Sequence, residues 1–135
     1  MNNYLNLITE NYSILIVDNS YFDLHKSMKL FTQKGFQVTG ASNIEEAIRK
    51  TKNISIDILI VEVFLKDNNF IQFIQSIRMN EVKNLSPKTF IIAYTEKWGK
   101  KQKNICSLAK IDMFFYKPID IELIFSSIAI KNYEL

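Results

Sequence analysis

The chain has one cysteine, one histidine, one tryptophan, two prolines and three glycines in 135 residues. A lone Cys106 excludes an internal disulfide and suits a reducing compartment. With no residue nearby to activate it, Cys106 reads as a small core residue rather than a nucleophile. So few prolines and glycines leave little room for a long flexible linker. No apolar run approaches the ~20 residues that a membrane-spanning helix needs. The opening MNNYLNLITENY lacks the basic start and small-residue cleavage site of a secretory signal, so the expected location is the cytoplasm. His25 falls inside a helical segment without a neighbouring acid and reads as solvent-exposed, not as a phosphate carrier. Internal repeats, low-complexity stretches and charge blocks that would mark a second domain are also missing.

What is present is an ordinary globular balance, 47% apolar and 23% charged residues, with a net charge of +3. Much of the positive charge sits at Lys97, Lys100, Lys101 and Lys103. Such a run reads first as a solvated helix face, with a patch for phosphate or an acidic partner as the alternative. Beyond Trp98 no aromatic residues interleave with these lysines, so nucleic acid is expected only through a separate output domain, if one exists.

Short apolar runs alternate with longer amphipathic ones. Ser13 to Val17, Ile56 to Val61, Thr89 to Tyr94 and Met113 to Tyr116 are nearly continuous apolar runs, as strands covered on both faces should be. Phe36 to Gly40 alternates more and reads as a strand nearer the sheet edge. Between them lie helical spacings. Tyr21 to Lys34 sets Phe22, Met28, Leu30 and Phe31 near one face, with Gly35 as the stop. Ser42 and Glu45 form a capping box for the next helix, which Ala47 and Ile48 continue. Phe70, Phe73, Ile74 and Ile77 make an i, i+3, i+4, i+7 stripe. Ile105, Leu108 and Ala109 do the same in a helix starting near Gly99, and Asp120 can cap a last helix carrying Leu123, Ile124 and Ile128. Five strands alternating with five helices imply βαβ units and an α/β three-layer sandwich. The expected boundaries are an extension over 1–12, one domain over 13–132 and a tail over 133–135.

In an open α/β sheet, ligands bind at the carboxyl ends of the strands. The residues that end the runs are Asp18 and Asn19, then Glu62, then Thr95, then Lys117-Pro118. Each alone reads as a helix cap or a water-facing end; Asp18 and Asn19 in particular suit the N-cap of the first helix. As an ordered set they bring acids, a hydroxyl and an ammonium to one end of the sheet. The segments that carry them, ILIVDN (14–19), DILIVEVFLKD (57–67), FIIAYTE (90–96) and DMFFYKPID (112–120), resemble the four signature segments of CheY-like response-regulator receiver domains, over roughly residues 13–130.

That resemblance implies a flavodoxin-like, five-stranded parallel sheet of order 2-1-3-4-5. It also implies a role in two-component-type signal transduction. In the family, acids after the first strand and an aspartate ending the third hold Mg²⁺; the aspartate takes a phosphoryl group, whose oxygens the hydroxyl and the lysine bind. By position Asp18 matches the first acid, Thr95 the hydroxyl, Lys117 the lysine, and Phe114 the aromatic that responds to activation. The departures are Asn19 for the second acid, Glu62 for the phosphorylated aspartate, Glu96 for a small residue, Phe70 and Lys110 for glycines, and Lys66 for a proline. The extra methylene of Glu62 moves its carboxylate outward by about 1.5 Å, and ~1 Å of misplacement can cost two orders of magnitude in rate.

The expected function is therefore a pseudo-receiver, not an enzyme. It would hold no cofactor, with Asp18 and Glu62 only weak candidates for Mg²⁺, and would act as a phosphate-independent module for a protein partner or output domain. Lys117 would pair with Glu62, and Thr95 would hydrogen-bond to it. In the family the face of the fourth helix, fifth strand and fifth helix meets partners. Here that face would hold Lys100, Lys101, Lys103, Phe114, Phe115 and Tyr116, and a homodimer through it is an open alternative. Two other readings stay open: a working receiver with weak Mg²⁺-dependent phosphorylation at Glu62, and a small-ligand binder on a flavodoxin-like scaffold. Against the last, Asp18-Asn19-Ser20-Tyr21 lacks a phosphate-cradling glycine loop.

Overall fold

The computed structural model describes residues 12–65, 70–84 and 87–133. Five strands, β1 (Ser13–Val17), β2 (Gln37–Ala41), β3 (Ile58–Glu62), β4 (Phe90–Thr95) and β5 (Met113–Tyr116), alternate with five helices. The helices are α1 (Tyr21–Gln33), α2 (Ile44–Lys50), α3 (Phe70–Asn84), α4 (Lys100–Leu108) and α5 (Ile121–Tyr133). All strand pairs are parallel and the sheet order is β2-β1-β3-β4-β5, as the resemblance implies. Lys66, residues 1–11 of the expected extension and residues 134–135 of the tail lie outside the described residues.

Side-chain alternation explains the layers. On β1, β3 and β4 the residues Ile14, Ile16, Ile58, Ile60, Ile92 and Tyr94 point to one side, where α1 and α5 cover them with Leu24, Phe31, Ile124 and Ile128. Leu15, Val17, Leu59, Val61, Ile91 and Ala93 point to the other, under Ala47, Phe73, Ile74 and Cys106 of α2, α3 and α4. Each such fully buried aliphatic side chain contributes about 2 kcal/mol, which is why the central strands carry no polar residue until their ends. Burial pushes the Cys106 thiol up to about 11, as befits a core residue.

Several local expectations shift. Phe22 and Leu108 are exposed rather than core. The buried stripe of α1 runs through Leu24, Ser27 and Phe31 instead, and that of α4 through Cys106. Neither Asp18 nor Asn19 caps α1: Ser20 does, its Oγ accepting from Asp23 N at 3.3 Å. The cap of α2 is Asn43, accepting from Glu46 N at 2.7 Å, while Ser42 Oγ donates to the Glu46 carboxylate at 3.0 Å. The one-residue offset turns Ile44 and Ala47 inward together. Gly99 and Asp120 act as expected, the latter accepting from Leu123 N at 3.1 Å.

Helices α1 and α4 end alike. Phe36 N donates to Phe31 O at 3.2 Å, and Ile111 N to Cys106 O at 3.2 Å, the six-to-one bond of a Schellman cap. The left-handed residue is Gly35 (φ 96°) in the first and Lys110 (φ 59°) in the second.

Candidate functional site

The site lies where β1, β3, β4 and β5 end. Continuous apolar pairing between β1, β3 and β4 keeps these strands in register, so Asp18, Glu62 and Thr95 emerge side by side. Lys117 follows the last residue of β5, its backbone N–H held by Thr95 O at 2.9 Å. That bond turns the lysine side chain back over the strand ends.

Lys117 Nζ makes three short contacts: Glu62 Oε1 at 2.8 Å, Asp18 Oδ2 at 2.9 Å and Asp23 Oδ2 at 3.0 Å. It also lies 4.8 Å from the centre of the Tyr94 ring. The Lys117 side chain is only 7% exposed. Burial by itself would lower its pKa, but bonds to Glu62, Asp18 and Asp23 outweigh that and hold it above the ordinary lysine range. An ammonium has three N–H bonds. Here one is donated to Asp23, while Glu62 and Asp18 stand beside the ammonium as ion-pair partners.

The carboxylates are tied down as well. Asp18 is fully buried; its Oδ1 accepts from Ser20 N at 2.9 Å, and its Oδ2 accepts from the Tyr94 hydroxyl at 2.5 Å as well as from Lys117. Glu62 Oε2 accepts from Phe64 N at 3.2 Å. Tyr94 is buried against Asp18, and burial first and that negative neighbour second hold its hydroxyl well above the usual tyrosine range.

Of the residues singled out in sequence, Asp18, Glu62 and Lys117 are brought into direct contact. Thr95 is buried at the same end, but no bond from its hydroxyl to Glu62 is present among the described residues. Asn19 is exposed. An opening of about 370 Å³ above the cluster is lined by Ser20, Asp23, Glu62, Thr95, Glu96 and Lys97 among others. A neighbouring cleft of about 260 Å³ runs between α1 and the segment after β5, past Lys26, Ser27 and Pro118.

Two participants escaped sequence reasoning. Asp23 was one polar position in an amphipathic helix; its signal was the Ser20-x-x-Asp23 spacing, which reads as an ordinary cap. Tyr94 was counted as one more apolar strand residue, although a hydroxyl in a fully buried strand needs a partner.

On the opposite side of β5, Lys100, Lys101, Lys103, Phe114 and Tyr116 are exposed. Phe115 is not part of that face: strand alternation turns its ring toward the α1/α5 core, and its carbonyl accepts from Trp98 Nε1 at 2.8 Å. The Trp98 ring lies 5.1 Å from that of Phe114. His25 is exposed, its ring 4.1 Å from that of Tyr21. No helix among the described residues is long and apolar enough to cross a membrane.

The fold is shared with many solved receivers. A two-component response regulator from Clostridium difficile superposes with a TM-score of 0.73 at 22% identity, covering 87% of this chain and 93% of its own. The chemotaxis protein CheY4 of Vibrio cholerae gives 0.72 at 19% identity, covering 87% and 96%. The receiver domain of Ssk1 from Saccharomyces cerevisiae, solved with the histidine phosphotransfer protein Ypd1, gives 0.72 at 18%, covering 86% and 85%. No curated protein sequence matches. The profile of the response regulator receiver domain matches residues 14–129, and the chain belongs to that family, the receiver module of two-component signalling.

Proposed function

We propose that this receiver domain takes no phosphoryl group and signals as a phosphate-independent protein-interaction module. The observation that carries the reading is Lys117, whose ammonium lies within 3.0 Å of three carboxylates, one of them Glu62 at 2.8 Å. By resemblance Glu62 stands at the phosphoacceptor position. A longer acid there, already paired, has neither the placement nor the freedom of a nucleophile aimed at an incoming phosphorus. Glu96 and Asp23 line the opening and would repel an anionic donor. The domain then works by presenting a surface rather than by catalysis.

Mg²⁺, the ion of the family, fits this donor set poorly. It demands near-octahedral oxygen ligands and is reluctant to shed water. Here the oxygens of Asp18 are engaged by Ser20 N, Tyr94 Oη and Lys117 Nζ, those of Glu62 by Lys117 Nζ and Phe64 N, and position 19 offers a neutral amide. Among the described residues no group of three or more acidic, histidine or cysteine side chains has metal-holding geometry. A small-ligand site of the nucleotide type is disfavoured for a related reason: the N–H groups of Ser20 and Asp23, at the start of α1, already bond to the chain's own oxygens.

The partner is a protein or an output domain. The exposed Phe114 and Tyr116 beside Lys100, Lys101 and Lys103 form the face through which it would be met, a second copy included. The test is a Mg²⁺ titration read by Trp98 fluorescence and by the backbone amides of Asp18, Glu62 and Phe64. Signals that ignore millimolar Mg²⁺ are expected; saturable shifts at those three amides would favour the working-receiver reading.

A further inference from the structure

We infer that Asp23 is a positioning residue that withdraws Lys117 from phosphoryl chemistry, so that correcting the two departures at Asn19 and Glu62 does not by itself restore an acceptor. The inference rests on the reading above and goes further, because it assigns the block to a residue outside the family's site pattern.

The local fold explains how Asp23 comes to be there. Ser20 is the N-cap of α1, so Asp23 is the third helical residue. An acid at that place ordinarily reaches back to the N–H of the cap residue. Here the Ser20 N–H is already donated to Asp18 Oδ1 at 2.9 Å. Asp23 is therefore released from capping and turns toward the strand ends, where its Oδ2 meets Lys117 Nζ at 3.0 Å.

The consequence for Lys117 is a matter of counting donors and charges. Paired with Asp18 and the acid of β3 alone, the ammonium would keep one N–H for a phosphoryl oxygen; Asp23 takes it. Three carboxylates then face one ammonium, two negative charges in excess. Asp23 is also the most accessible of the three, its side chain 24% exposed against 9% for Glu62 and 0% for Asp18. It borders the opening through which a donor would come. Its charge is thus the one an approaching anion meets with least protein in between.

The test compares two proteins: the full chain carrying Asn19→Asp and Glu62→Asp, and the same chain with Asp23→Asn added. Both are incubated with acetyl phosphate and Mg²⁺ and followed by intact mass. In the reaction a carboxylate oxygen at position 62 forms a bond to phosphorus as the bond from phosphorus to the acetate oxygen breaks, and acetate leaves with that electron pair. The triple variant is expected to gain a phosphoryl group about tenfold faster or more, a positioning effect of ordinary size. Equal rates, or a slower triple variant, overturn the inference. A second measurement needs only the Asp23→Asn change in the otherwise unaltered chain: competitive acylation of lysines, read by peptide mass with exposed Lys34 as internal reference. Lys117 should label severalfold faster than in the unaltered chain, and unchanged labelling overturns the inference. A purely structural role for Asp23 would raise labelling of neighbouring lysines along with Lys117. Phosphorylation of the unaltered chain would overturn the reading of the preceding section, whereas equal rates in the two variants would remove only the role of Asp23.

Discussion

Two cations are held at opposite ends of the same sheet, and they are held differently. Below the start of β4 and β5, Arg78 of α3 donates from Nη1 to Glu81 at 3.1 Å and to Thr89 O at 2.8 Å, and from Nη2 to Lys110 O at 3.0 Å and Asp112 at 2.7 Å. Its carboxylate partners in turn accept backbone N–H bonds, Glu81 from Thr89 and Asp112 from Ile91. That cluster is woven into the backbone and joins α3 to both connections that lead into the edge of the sheet. At the other end Lys117 bonds only to side-chain carboxylates, which outnumber it three to one, beneath an opening to solvent. The first arrangement is what holding a fold together requires. The second leaves carboxylate charge in excess of the one ammonium beneath an opening to solvent.

The comparison breaks most sharply at Arg78. Arg78→Ala removes the cation beside buried Glu81 and largely buried Asp112 and frees two carbonyls, so a loss of about 4 kcal/mol in urea unfolding is expected. A loss under ~1 kcal/mol would mean the cluster is no clamp. Lys117→Met should cost somewhat less, about 3 kcal/mol at neutral pH, because Asp23 and Glu62 line the opening and can turn toward water there. The pH dependence sharpens this. Lys117 and Tyr94 both have pKa values raised in the folded state. Their stabilisation is therefore complete below the unfolded values, about 10, and is lost as pH climbs beyond them toward the folded ones. Unfolding curves of the unaltered chain should weaken above about pH 10. Those of Lys117→Met should weaken less over the same range. Equal slopes would mean the ammonium is not held as described.

The smallest effect concerns the two Schellman ends. Gly35 adopts its left-handed conformation freely, whereas Lys110 at φ 59° pays for its Cβ. Lys110→Gly should stabilise the protein by about 1 kcal/mol, read as a higher denaturation midpoint with unchanged slope. Gly35→Ala should move it the other way.

The strands were legible because a strand buried on both faces cannot hide polar residues, so Asp18, Glu62, Thr95 and Lys117 stood out at its ends. Their convergence followed from the strand order. The lock itself was not legible. Asp23 looked like a helix-start acid because its spacing from Ser20 is that of a cap, and only the competing bond from Ser20 N to Asp18 redirects it. Tyr94 looked apolar because strand periodicity tells which face a ring occupies but not what its hydroxyl meets. Helix phase was similarly underdetermined: Phe22 and Leu108 fit an apolar stripe on paper, while Ser27 and Cys106 take the inner positions. In each case local spacing allowed two answers and a contact distant in sequence chose between them.

The central claim is that Lys117 and its three carboxylates close the pocket to phosphate. Intact mass of the unaltered chain after incubation with acetyl phosphate and Mg²⁺ tests it most directly. The account predicts an unchanged mass; a single added phosphoryl group that Glu62→Gln abolishes would contradict it.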